Sequence, residues 1–325
     1  MRFLIKLASI TTFALMTGCT ADSKPEARYG QLKVEGAQLL SEAGEPVVLR
    51  GISYGWSAWW PRFYNAGTVK EFTDDWGVDV VRAAVSLNFD PSENSYLDDP
   101  EGTEKLLYAV VDAAIDNGIY VIIDWHSHKL LEEEATQFFV KMATKYGEYP
   151  NVIYEIFNEP VKQSWAEVKA YSENVIAAIR EIDADNIILV GNPHWDQDVH
   201  IVADDPIEGV SNIMYTLHYY AATHRDYLID RGNYAISKGT PLFISECAGM
   251  EATGDGPIDY DSWSRWVEWS EENNVSYVKW SVADKDETCS MLYPTAESDG
   301  GWDEDDLKEW GAVVRKLMRE KAGLK

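Results

Sequence analysis

Short apolar, β-branched runs recur along the chain and alternate with longer amphipathic stretches. The runs predict strands over residues 47–54, 79–86, 120–126, 152–158, 187–191, 212–220, 242–246 and 277–281. Between them, apolar positions recur at helical spacing over 103–117, 132–146, 165–182 and 261–273, and a closing helix is predicted near 305–319. Asn117-Gly118 and Lys238-Gly239 place a glycine where a helix ends in the left-handed conformation. Eight strand–helix repeats in about 290 residues predict an α/β fold, a single (β/α)8 TIM barrel, which usually takes ~250 residues plus insertions. Two domains would need a linker, and no Pro/Ser-rich stretch follows residue 30. A doubly wound sheet would show a glycine-rich phosphate loop after an early strand. Here the first strand runs instead into the aromatic sequence Gly-Trp-Ser-Ala-Trp-Trp-Pro.

Composition narrows the partners. Hydrophobic residues make up 46% of the 325, with 13 Trp, enough for a large core. A net charge of −27 argues against a nucleic-acid partner. At the N-terminus, Arg2 and Lys6 precede an apolar stretch over 7–16 that is too short to span a membrane and reads as an export signal. Met16-Thr17-Gly18-Cys19 resembles a bacterial lipoprotein processing site. The resemblance implies a signal peptide over 1–18, lipid on Cys19, and a membrane-anchored protein in the periplasm or at the cell surface. Ordinary cleavage and secretion is the alternative. Residues 19–29 are polar and read as a tether, leaving 30–322 for the barrel. Cys247 and Cys289 remain as a possible disulfide in an oxidising compartment, or as two free buried thiols.

Barrel enzymes carry their chemistry at the C-terminal ends of the strands. Those ends hold Arg82 on strand two, Asp124-Trp125-His126 on strand three and Asn158-Glu159 on strand four. His194 and Trp195 follow strand five, His218 and Tyr220 share one face of strand six, Glu246 ends strand seven, and Trp280 lies on strand eight. Two glutamates facing one cavity have their pKa values pushed apart, giving one acid and one anion, as glycoside hydrolysis requires. Glu155, in the same run as Glu159, gains no role in this reading.

Ile-Phe-Asn-Glu-Pro, Thr-Leu-His-Tyr-Tyr, Phe-Ile-Ser-Glu and Val-Lys-Trp-Ser, in this order, resemble glycoside hydrolase family 5, and within it the bacterial endo-β-1,4-glucanases. The resemblance covers roughly 30–322. It implies a retaining endoglucanase with Glu159 as acid/base and Glu246 as nucleophile. It further implies that Arg82 and Tyr220 hydrogen-bond Glu246, that Asn158 meets the sugar 2-hydroxyl, and that His218 contacts Glu159. His126 and Trp280 would meet the sugar next to the scissile bond. Trp59 would line the glycone side, Trp195 the leaving-group side, and Lys285 and Glu287 a more distant glycone sugar. The implied partner is a β-glucan substrate, with no cofactor or metal, and the enzyme is expected to be a monomer. Two departures stand out: Cys247-Ala248 where the family usually has Trp-Gly, and Tyr54-Gly55-Trp56 where the first loop often carries His.

Other readings keep the barrel. His126-Ser127-His128, with His194, His218 and Asp284, could form the zinc site of a metal-dependent hydrolase, but that leaves both glutamates and the tryptophans unexplained. A non-catalytic glucan-binding lipoprotein would explain the tryptophans but not the two acids. Mannan, xyloglucan or mixed-linkage glucan would change the sugar and keep the mechanism.

Overall fold

A computed structural model describes residues 26–87 and 95–324. The expected signal segment, Cys19 and most of the tether lie outside the described residues. Eight parallel strands close into a barrel in sequence order: Arg50–Tyr54, Val80–Ser86, Tyr120–His126, Val152–Glu155, Ile188–Val190, Ile213–Tyr220, Leu242–Ala248 and Ser276–Val282. Helices lie between strands, among them Pro100–Asp116, Glu132–Tyr146, Trp165–Arg180, Asp226–Ser237 and Tyr260–Glu272, with Glu309–Lys321 closing the chain. The predicted barrel is present, and every predicted strand falls on an observed one.

The differences at element ends have local causes. The helix predicted from residue 103 starts at Pro100, because Asp99 accepts from the Gly102 N–H and proline fits the first helical position. The closing helix starts at Glu309, since residues 303–306 are taken up by a turn in which Asp306 accepts from the Asp303 N–H. Gly118 and Gly239 have φ of 69° and 82°, the left-handed geometry expected at a helix end. Short elements escaped the periodicity: the hairpin Lys33–Glu35/Gln38–Leu40 and the six-residue helices Ala66–Glu71 and Val199–Asp204.

Alternation along the strands decides what fills the barrel. Val80, Ile122, Ile153, Met214, Phe243 and Val278 form an apolar layer with Leu32 and Leu39 from the hairpin region. Side chains two residues further along the same strands point into the same interior. On the first three of these strands they are Arg82, Asp124 and Glu155, all fully buried, and on the others Thr216, Ser245 and Trp280. The barrel is therefore oily at its base and ionic above it.

Strand seven breaks the alternation usefully. Its pairing with strand six shifts register between Thr216 and His218. Such an irregularity re-aims neighbouring side chains, and the adjacent residues Ser245 and Glu246 both reach groups in the interior. Cys247 then faces outward, its thiol 3.3 Å from the Val278 carbonyl and 3.4 Å from Lys279 Nζ. Cys289 sits elsewhere, with its Sγ 3.3 Å from Glu287 Oε1. Both are free buried thiols with different neighbours, so the possible Cys247–Cys289 disulfide is corrected in favour of the alternative, two free thiols.

Candidate active site

Arg82 organises the site from the barrel axis. Its guanidinium forks onto Glu155, Nε to Oε2 at 2.7 Å and Nη2 to Oε1 at 3.1 Å. It also donates to Glu246 Oε2 at 3.0 Å and to Asn158 Oδ1 at 2.5 Å, and it lies 3.0 Å from Asp124 Oδ2. A buried guanidinium without partners would be very costly. Here several carboxylates surround it.

Glu246 is held at both oxygens. Arg82 donates to Oε2 and the Tyr220 hydroxyl donates to Oε1 at 2.7 Å. Burial, and secondarily the Glu246 charge, push the Tyr220 phenol well above its ordinary range, so it remains a donor. Asn158 has its carbonyl oxygen on Arg82, while its buried Nδ2 has no hydrogen-bond partner among the described residues. That amide beside Glu246 is free to donate to a bound hydroxyl.

Glu159 leaves the end of strand four because Pro160 has no N–H to continue the ladder. Its own N–H donates to Ser127 O at 3.2 Å, anchoring the acid to the end of strand three. His218 Nδ1 lies 3.0 Å from Glu159 Oε1, and His128 Nδ1 lies 3.8 Å from Oε2. On its other side, His218 Nε2 meets Ser245 Oγ at 2.9 Å and Asp196 Oδ2 at 3.4 Å. Ser245 in turn donates to Glu155 Oε1 at 2.7 Å. A chain of contacts thus runs from Glu159 through His218, Ser245, Glu155 and Arg82 to Glu246.

Charge follows this wiring. Burial alone would lower the His218 pKa, but Asp196, Glu155, Glu159 and Glu246 outweigh it and hold the imidazolium well above the usual histidine range. Burial would raise Glu159, yet its bond to His218 wins and holds it below the usual carboxylate range. For His126, burial and then Arg82 lower the pKa to about 3, leaving a neutral ring whose Nδ1 lies 2.6 Å from Asp124 Oδ2.

The aromatics frame a cleft. Trp280, buried, lies parallel to His126 with centroids 5.4 Å apart. Trp59 is 42% exposed, its ring 4.9 Å from Trp56, which also packs edge-on against His126 at 4.3 Å. Trp56 thus backs Trp59 rather than lining the opening itself. A Cβ on Gly55 would come within 2.7 Å of the Trp60 ring, so this first loop has traded a side chain at 55 for the indole of Trp60. Trp195 is 45% exposed beside Gln197 in a cleft of about 540 Å³ that also reaches Glu159, His218 and Glu246. Lys285 and Glu287 pair with each other on the loop after strand eight.

The zinc site of the alternative metal-hydrolase reading does not assemble from those residues. His194 is bonded to Asp198, His126 to Asp124, and Asp284 to Arg62 at 2.8 Å. Among the described residues, the group with ligand atoms close enough for an ion is Glu159, His218 and Glu246, which lie within 4.8 Å of one another. Glu155, Ser245 and Asp196 were missed in the sequence. The signal for Glu155 was available: an acid two residues beyond Ile153 on a fully buried strand must face the interior and must be paired.

Residues 40–286 match the family model for cellulase, glycosyl hydrolase family 5. The chain is 42% identical over 296 residues to an endoglucanase of Clostridium saccharobutylicum, covering 89% of this chain and 65% of that protein. It is 43% identical over 289 residues to Endoglucanase A of Evansella cellulosilytica, covering 86% of this chain and 58% of that one. The chain thus spans less than two thirds of the length of these two relatives. The catalytic domain of Thermobifida fusca endoglucanase Cel5A, in complex with cellotetraose, superposes with a TM-score of 0.85 at 32% identity, covering 90% of this chain and 98% of that one.

Proposed function

The chain belongs to glycosyl hydrolase family 5, and from that premise we propose that it is a retaining endo-β-1,4-glucanase acting on cellulose and related β-glucans. The observation that carries the reading is the approach of oxygens of Glu159 and Glu246 to within 4.8 Å. Retaining glycosidases hold their carboxyl groups about 5–5.5 Å apart, whereas inverting ones leave about 6.5–9.5 Å for a water.

In the first step the Glu246 carboxylate attacks the anomeric carbon. The bond to the leaving oxygen breaks, and that oxygen takes the proton of Glu159. In the second, water attacks the glycosyl ester, Glu159 takes the water's proton, and Glu246 is released as carboxylate. Arg82 and Tyr220 aim Glu246 at the carbon. The Asn158 amide donates to the 2-hydroxyl as charge develops on the ring. His126 and Trp280 receive the sugar at the reacting carbon. Trp59, Lys285 and Glu287 hold glycone sugars, and Trp195 a sugar of the leaving side, where flat rings meet the apolar faces of pyranoses at low entropic cost.

Incubation with carboxymethylcellulose should release reducing ends as viscosity falls, and the first-formed anomer should be β. Greater activity on mannan or xyloglucan would move the substrate while leaving the mechanism in place. Absence of new reducing ends on every glucan would favour a binding protein. The N-terminal sequence supports export and lipid attachment at Cys19. Labelling with a radioactive fatty acid, lost in Cys19→Ala, tests this part.

A further inference from the structure

Trp195 is joined to a second exposed ring. Tyr227 is 45% exposed, and its hydroxyl donates to Gln197 Oε1 at 3.2 Å. Its ring lies 6.5 Å from that of His224, which lines the cleft together with Gln197 and Trp195. The position of this ring is built. The Arg231 guanidinium sits 5.5 Å from the Tyr227 centroid, and Arg231 donates to Gln197 O at 3.0 Å and to Asp198 Oδ1 at 2.8 Å. The other oxygen of the buried Asp198 meets His194, the neighbour of Trp195. The Trp195 N–H donates to Pro160 O at 3.0 Å, one residue from Glu159. One network therefore fixes Trp195, Gln197 and Tyr227 relative to the acid.

We propose that Tyr227 and Gln197 form an additional leaving-group subsite beyond Trp195, taking a further glucosyl unit of a β-1,4-glucan. A pyranose presents an apolar C–H face to the phenol ring and hydroxyls at its edge. The Gln197 carbonyl is occupied by Tyr227, so its amide nitrogen is the group that donates to a hydroxyl. A ring fixed by a hydroxyl bond and a guanidinium gives contact area with little further loss of entropy. The inference rests on the endoglucanase reading.

Two substrates separate the two. An aryl β-cellobioside places only its aryl group on the leaving side, whereas cellohexaose extends past Trp195. Tyr227→Ala should hydrolyse the aryl cellobioside at the wild-type rate. Its kcat/KM on cellohexaose should fall about three- to tenfold, with cleavage moving to bonds that leave fewer sugars on the leaving side. Tyr227→Phe, which keeps the ring and loses the bond to Gln197, should match wild type on the aryl cellobioside and fall between wild type and Tyr227→Ala on cellohexaose. Wild-type rate and products on cellohexaose in Tyr227→Ala would overturn the subsite, as would equal losses on both substrates. A wild-type enzyme inactive on both would overturn the endoglucanase reading itself.

Discussion

Glu155 receives the Arg82 guanidinium through both carboxylate oxygens, at 2.7 and 3.1 Å, with neither residue exposed to solvent. Removing one partner of a buried pair leaves an uncompensated charge and costs about 3–5 kcal/mol. Arg82 keeps Asp124 and Glu246, so Glu155→Gln should cost near the low end, about 3 kcal/mol in urea unfolding at pH 7. Burial alone would raise the Glu155 pKa, but Arg82 outweighs it and brings it down to about 2. A carboxyl lowered on folding contributes stability above its unfolded pKa and loses it as pH falls through the folded value. The gap between wild type and Glu155→Gln should therefore be constant above about pH 4.5 and close towards pH 2. A gap independent of pH would show that Glu155 is not held ionised by Arg82.

The barrel was legible because its strands and main helices repeat a strong period. Glu159 and Glu246 were legible because each ends an apolar run at the mouth of a strand. Glu155 is harder to see because residues 152–158 read as one buried run, in which the apolar neighbours mask the two-residue alternation. Ser245 and Asp196 were hidden for other reasons. Ser245 follows the alternation from Phe243, but the adjacent Glu246 also reaches the interior where strand pairing shifts register, and a strict period that accommodates one excludes the other. Asp196 follows His194 and Trp195 in a left-handed run, with φ of 55°, 55° and 58°, a conformation that no sequence period announces.

Glu246→Gln should lower kcat on cellooligosaccharides by about four orders of magnitude or more. An amide cannot form the glycosyl ester, yet it still occupies the space beside Arg82 and Tyr220, so calorimetry should find cellotetraose bound. Glu159→Gln should lose about 10²–10⁴-fold on cellulose and keep much more activity on aryl cellobiosides whose leaving group needs no proton. Hydrolysis by Glu246→Gln at the wild-type rate would end the assignment.

Cys247 and Cys289 should both react with an alkylating agent after unfolding without reductant, and mass spectrometry should find each modified. In the native protein both should be protected, since burial raises both thiol pKa values and suppresses the thiolate. A bonded peptide pair released only by reductant would contradict their separate surroundings.

His218 and Glu159 face each other across 3.0 Å with one proton between them. The groups that set its place come from several elements: Glu155 and Glu159 at the end of strand four, Asp196 after strand five, and Glu246 on strand seven. Against burial they keep His218 protonated, and His218 keeps Glu159 ionised. The resting pair is imidazolium and carboxylate. The reactive pair, neutral imidazole and carboxylic acid, carries the same number of protons and differs by a transfer along that bond. The pair titrates as a unit, so the alkaline limb of kcat/KM should follow loss of the proton from His218, above the ordinary histidine value. In His218→Asn the reservoir is gone and Glu159 must hold the proton alone. The alkaline limb should then move to lower pH, with kcat down about 10–100-fold. Stability supplies the second readout, with its sign fixed by the raised pKa. The His218 contribution is complete below about pH 6.5 and is lost as pH rises through the folded value. The wild-type advantage over His218→Asn should shrink across that alkaline range. An alkaline limb unmoved in His218→Asn would place the catalytic proton outside this pair.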